Sequence, residues 1–249
     1  LAHGDIIGWN VLTSSIRRRA SYYTGEWRFV SRFLQPGMTV VDAGANQGIY
    51  TLLLSKCVGD AGRVFAFEPA SPEFKKLKRN VQSNRCSNVV LESSALGSYD
   101  GVTEFHLCLY SRGSYSSRCV PAKDIEGAPR QIIEVPMITL DSYFSKHSVA
   151  SCDFIKIDVE GGEKDLLKGA EKTLTQLRPL VLCELADIRT KPWGYFASEL
   201  YDLLLAHGYA WYRSDGNGLL HPAAQKANYD PEWENLIAVP TEKRDAVIQ

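Results

Sequence analysis

The chain has no surplus of either charge: 28 Lys and Arg stand against 29 Asp and Glu, giving a formal net charge of −1 over 249 residues. A phosphate-backbone partner is usually announced by a basic excess or stripe, and the only such run is Arg17-Arg18-Arg19, so nucleic acid is not the expected partner. No apolar run reaches the length of a membrane span, and the start lacks a signal-peptide pattern. The six cysteines (Cys57, Cys86, Cys108, Cys119, Cys152 and Cys183) form no C-x-x-C pair and no metal-ligand spacing. They read as reduced packing residues, which places the protein in a soluble, cytoplasmic setting. Internal repeats and low-complexity tracts are also missing. The first residue is Leu1 rather than Met, as expected either of a processed chain or of a piece of a longer, multidomain one. With 45% hydrophobic residues, the length suits a single domain over 1–249: an N-terminal helical cap (1–36), a Rossmann-like core (37–240) and an inserted loop (110–130).

What is present is concentrated in TVVDAGANQGIYT, residues 39–51. Val40 and Val41 are the β-branched run of a buried strand, Gly44 and Gly48 permit a tight turn, and the apolar pattern from Ile49 opens a helix. The dinucleotide fingerprint G-x-G-x-x-G would need a second glycine where this chain has Asn46. Asp42 also puts a carboxylate at the strand end, which opposes a pyrophosphate and complements a cation. S-adenosylmethionine carries an ammonium and a sulfonium; the alternative is that Asp42 only braces the turn. The next strand, RVFAF (63–67), ends in Glu68-Pro69, where a carboxylate can accept from a ribose diol or can serve as an N-terminal helix charge.

Alternation continues along the chain. A helical segment spans 10–34, with Tyr22, Tyr23, Trp27 and Phe33. An amphipathic helix is expected over 74–84, a third strand over 88–91 and a turn over 93–97. Residues 103–109 and 131–135 read as antiparallel strands around the polar loop 110–130, either a substrate-binding flap or a disordered excursion. A short helix near 140–144, a strand over 154–159, helices over 164–177 and 196–207, and strands over 180–184, 209–213 and 236–239 follow. The sum is an α/β chain with a mostly parallel sheet and a final antiparallel hairpin.

FIKIDVEGGE (154–163) holds the second set of chemical groups. Period-two alternation puts Lys156, Asp158 and Glu160 on one face of an apolar strand. Ligands in open α/β sheets bind outside the carboxyl ends of the strands, which is where Asp158 and Glu160 fall. The competing reading is a Lys156–Asp158 ion pair, with Glu163 serving only the start of a helix.

These segments together resemble the FkbM-type S-adenosylmethionine-dependent methyltransferases, through VVDAGANQG, FAFEP, ITLDSYF (138–144), KIDVEGGE and LLKGA (166–170). The resemblance implies a seven-stranded sheet with helices on both faces, its last strand antiparallel, and methyl transfer to a hydroxyl of a sugar, glycan, glycolipid or polyketide-type product. It further implies that Asp42, Gly44, Asn46 and Gly48 surround the methionine arm, Glu68 the ribose, and Ser94 with Ala95 the adenine. Glu26, in the GEW segment, and Asp158 join the cofactor side. A sugar hydroxyl needs a base, for which Asp158 is the first candidate, Glu160 and Glu184 the next and His221 a distant one. The same carboxylates suit Mg²⁺, which is not favoured because no recognisable metal spacing accompanies them. Trp193, Tyr195 and Trp211 suit either sugar stacking or the core. Two other classes remain: a nucleotide-dependent oxidoreductase, opposed by Asp42 and Asn46, and a non-catalytic binding domain that keeps the fold.

Overall fold

Strand-helix alternation in the computed structural model, which describes residues 24–108, 130–230 and 233–248, builds one large sheet and one small one. The chain enters through α1 (Thr24–Phe33) and forms β1 (Thr39–Ala43), α2 (Ile49–Val58), β2 (Arg63–Phe67), α3 (Ser71–Ser83) and β3 (Val89–Glu92). Next come β4 (Ala95–Leu96), β5 (Gly101–Cys108), β6 (Arg130–Ile138), α4 (Leu140–Lys146), β7 (Phe154–Ile157) and α5 (Glu163–Lys168). After β8 (Leu180–Leu185), α6 (Asp187–Thr190) and α7 (Ser198–Ala206), the described chain closes with β9 (Tyr209–Ser214), β10 (Leu220–Pro222), β11 (Glu234–Pro240) and α8 (Arg244–Val247).

The large sheet runs β10-β9-β11-β8-β7-β1-β2-β3. From β8 to β3 all neighbours are parallel, whereas β11 enters antiparallel between β8 and β9. The seven expected strands are therefore present with their antiparallel member, and the short β10 adds an eighth at the edge. Both faces are covered, so odd and even positions of each strand enter different cores. Val41, Ala43, Phe65, Phe67, Ile155 and Ile157 pack with α4, α5 and α7. Val40, Val64, Phe154 and Leu182 pack with α1 and α2. The second face holds the site, because Asp42 and Lys156 follow Val40 and Phe154 by two residues and are register partners on neighbouring strands.

Several boundaries differ from the sequence expectation. The turn expected over 93–97 contains β4, which pairs with β6 in a separate sheet of order β4-β6-β5. The strand expected to run to Val159 stops at Ile157, because Glu160 and Gly161 take left-handed backbone, with φ of 55° and 99°. The helix expected over 164–177 is broken after Lys168. A Cβ on Gly169 would lie 1.9 Å from the Gly97 carbonyl oxygen, and Asp141 accepts from the Lys172 and Thr173 amides to start the second half afresh. The helix expected from 196 begins at Ser198. Residues 10–23, with Arg17-Arg18-Arg19, Tyr22 and Tyr23, and the loop of 110–129 lie outside the described residues. Among the described residues no helix is long and apolar enough to cross a membrane, and Cys57, Cys86, Cys152 and Cys183 are free thiols.

Candidate active site

The turn after β1 is shaped by three residues in left-handed backbone: Gly44 (φ 76°), Asn46 (φ 50°) and Gly48 (φ 92°). Gly44 is also forced by contact, since a Cβ there would lie 1.9 Å from the Asp158 carbonyl oxygen. Every N–H from residue 44 to 48 ends on a protein acceptor. Gly44 and Ala45 donate to the Phe67 carbonyl at 3.1 and 2.9 Å, and Gly48 donates to Ala45. Asn46 donates to Glu68 Oε2 at 2.7 Å, and Gln47 donates to the Asn46 side chain at 2.8 Å. Glu68 also accepts from Ala70 N at 2.8 Å; burial nevertheless pushes its carboxyl up to about 7.

Around the ends of β7 and β8 the groups are side chains rather than amides. Asp158 is the open member, with 37% of its side chain exposed, and it accepts from Lys156 Nζ at 3.0 Å. Asp42 has no exposed surface; it accepts from the Thr51 hydroxyl at 2.6 Å and faces Lys156 Nζ at 3.8 Å. Burial raises its carboxyl above the ordinary range, opposed by the Lys156 charge. Glu160 pairs with Arg189 Nε at 3.1 Å, and its backbone carbonyl accepts from Trp193 Nε1 at 3.2 Å. Burial holds the Glu160 carboxyl well above its usual range despite Arg189. Among the described residues no donor bonds the Glu184 carboxylate, and burial together with the charges of Asp158 and Glu163 pushes it up to about 8.

Glu160 leaves the shared face expected of Lys156, Asp158 and Glu160, because the strand has already ended and its carboxylate turns to Arg189. Glu163 is buried and accepts from the Val159 and Gly161 amides at 3.1 and 3.2 Å, a brace for the start of α5. Glu26 reaches the site from α1, accepting from the Tyr50 hydroxyl at 2.8 Å and from Asn235 Nδ2 at 2.9 Å. Ser94 precedes β4, and Ala95 is buried in the small sheet's core. Tyr195 is buried and donates to the Gly161 carbonyl at 2.7 Å, while Trp211 stacks on Tyr201; both belong to the core. Trp193 lies over Gly161 and Gly162. His221 sits on the edge strand beside Asp215, apart from the carboxylates. Among the described residues no group of three or more His, Cys, Asp and Glu could hold a metal ion. Sequence reading missed Thr51, Tyr50 and Arg189, whose roles depend on tertiary neighbours; the signal for Lys156, a cation inside an apolar strand, was visible.

The Methyltransferase FkbM domain family matches residues 42–210, which span the turn, Glu68 and the carboxylates of β7 and β8. The chain is 26% identical over 187 residues to Methyltransferase 1 of Beauveria bassiana, covering 69% of this chain and 72% of that protein. It is 26% identical over 204 residues to the 31-O-demethyl-FK506 methyltransferase FkbM of Streptomyces tacrolimicus, covering 71% and 74%. Among solved structures, the methyltransferase FkbM of Methylobacillus flagellatus KT superposes with a TM-score of 0.49 at 18% identity, covering 81% of this chain and 43% of that one. The strand order around β1, with its antiparallel strand between β8 and β9, is that of the class I methyltransferase fold. The chain is a methyltransferase and belongs to the FkbM family.

Proposed function

We propose that this methyltransferase uses S-adenosyl-L-methionine and methylates a hydroxyl oxygen of a sugar, glycan, glycolipid or polyketide-type acceptor, in a reducing compartment such as the cytoplasm. The observation that carries the cofactor is the amide accounting in the turn after β1. A pyrophosphate site offers open N–H donors, whereas here each amide from 44 to 48 is already bound within the protein. The carboxylates that border the turn favour a cationic ligand instead.

In this reading Gly44, Asn46 and Gly48 shape the wall for the methionine arm, with Asp42 acting from beneath through Lys156 and Thr51. Glu68 keeps lone pairs for a ribose diol, Ser94 and Ala95 flank the adenine, and Glu26 approaches from α1. The cofactor, when bound, supplies an electrophilic methyl group. The chain's own contribution is to hold the acceptor oxygen in line and to take its proton. Asp158 is the open carboxylate at the strand ends and is the first choice as base. Glu184, with no donor bonded among the described residues and a carboxyl near 8, is the second. Glu160, held by Arg189, is a positioning group. Transfer to oxygen is supported by the name of the Streptomyces relative, a 31-O-demethyl-FK506 methyltransferase.

Titration calorimetry with S-adenosylhomocysteine, alongside NAD, tests the reading. Binding at about micromolar Kd for the first and none for the second is expected. A folded protein that ignores S-adenosylhomocysteine would overturn the cofactor assignment and favour a non-catalytic binding domain. Incorporation of labelled methyl groups into a panel of glycans and hydroxylated natural products then tests the acceptor class.

A further inference from the structure

We infer that Lys156 is the charge-setting and positioning residue of the methyl-transfer site. Its ammonium is the shared counter-ion that lets Asp42 and Asp158 be carboxylates together. It thereby fixes how strongly the site distinguishes a sulfonium-bearing methyl donor from its neutral thioether product. The inference rests on the cofactor reading above and goes beyond it.

The geometry is that of a cation enclosed between two anions. Lys156 is 6% exposed, although a lysine is almost never buried without partners. Its Nζ lies 3.0 Å from Asp158 Oδ2, 3.4 Å from the Gly44 carbonyl oxygen and 3.8 Å from Asp42 Oδ1, with the Tyr50 ring 5.2 Å away. Among the described residues Asp42 Oδ1 is buried with no hydrogen-bond partner, and the ammonium is the charge that faces it. Asp42 and Lys156 are brought together by the β1–β7 register, and the Gly44 contact ties the same ammonium to the cofactor turn. Glu26, Glu68 and Glu184, from α1, the end of β2 and β8, also feel this charge. A purely structural lysine would neutralise one partner. This one touches both the wall of the turn and the open carboxylate, where the charge of a ligand is read.

S-adenosylmethionine and S-adenosylhomocysteine differ by the methyl group and one positive charge, so the ratio of their dissociation constants reads the site's charge and cancels effects on shape. The proteins compared by calorimetry at one mildly alkaline pH would be wild type, Lys156→Met, Asp42→Asn, the double variant and Lys156→Arg. Removing the lysine charge should favour S-adenosylmethionine over S-adenosylhomocysteine by about fivefold relative to wild type. Removing the Asp42 charge should move the ratio by a similar factor the other way, the double variant should return toward wild type, and Lys156→Arg should retain the wild-type ratio. Thermal melting establishes that each variant is folded. If Lys156→Met does not fold, Asp42→Asn and the double variant read the same quantity. A ratio that stays within twofold of wild type in a folded Lys156→Met or Asp42→Asn protein overturns the inference. Wild-type protein that binds neither ligand instead overturns the cofactor reading, a distinct result.

Discussion

The two halves of the site, in contact where Gly44 meets Asp158, are built on opposite principles. The turn after β1 is made of backbone: its amides are all satisfied, and its shape is dictated by left-handed residues. The ends of β7 and β8 are made of side chains, with Asp158, Glu160 and Glu184 set against Lys156 and Arg189. A backbone wall cannot change its charge with pH and tolerates almost no substitution. A carboxylate cluster tolerates substitution sterically but responds to every proton. The first is suited to recognising a ligand of fixed shape, the second to moving a proton.

The sharpest break of that contrast is Gly44→Ala. Its Cβ would lie 1.9 Å from the Asp158 carbonyl oxygen, a backbone atom that cannot swing away, at a φ of 76° that side chains disfavour. Destabilisation of about 3 kcal/mol or more is expected in urea unfolding. Gly37→Ala is the control, since its φ is 93° but nothing lies within 4 Å of the added carbon. That variant should lose only the backbone cost, about 1–2 kcal/mol. Equal losses in the two would mean that close contact with Asp158 does not constrain the turn.

Next in size is Asp158→Asn. As the open carboxylate it should take about 10²–10⁴-fold of the turnover with it, while S-adenosylhomocysteine affinity stays within a few-fold. Turnover that survives would transfer the base to Glu184.

The carboxylate half should also carry a pH signature of stability that the turn's backbone lacks. Burial and neighbouring negative charge raise the folded-state Glu184 carboxyl from 4.5 to about 8, so the folded protein favours its protonated form. Its contribution is fully present below pH 4.5 and is lost as pH rises through about 8. Glu68, which holds the Asn46 amide of the turn and is raised to about 7, adds a slope of the same sign from a titrating side-chain partner of the turn. Glu184→Gln should therefore flatten the fall in urea midpoint between acidic and alkaline buffer, gaining roughly 1 kcal/mol or more on wild type at the alkaline end. Identical slopes would place Glu184 in a more solvated environment than its neighbours indicate.

The same division explains what could be read from the chain alone. Gly44, Asn46 and Gly48 announce a turn because left-handed backbone restricts residue type, and the strand-helix order follows from apolar period. The carboxylates were legible as residues but not as an arrangement. Where β7 ends depends on Glu160 turning left-handed, so alternation carried the strand two residues too far and put Glu160 on the wrong face. Gly161 admits the α6 segment, whose Arg189 carbonyl oxygen would lie 2.4 Å from an added Cβ, and no local pattern announces that contact. Asp42 as a buried partner of Thr51 and Lys156 depends on the β1–β7 register, which no local pattern encodes.

The smallest expected effect lies outside both halves, and it sets the scale for the rest. His221 on β10 has its Nε2 3.3 Å from Asp215 Oδ2, with 57% and 34% of the two side chains exposed. A pair this open is screened by solvent and salt, so His221→Ala should leave the urea midpoint at its wild-type value. S-adenosylhomocysteine affinity and turnover should stay at wild-type values. The loop between β9 and β10, whose carbonyls at Gly216 and Gly218 accept from Arg28 and Arg32 of α1, keeps those bonds in the variant. A loss of turnover in this variant would mean that a proton leaves the site through the β9–β10 edge. The carboxylates at the ends of β7 and β8 would then be only part of the proton path, and the division between a fixed wall and a titrating cluster would have to include a third region.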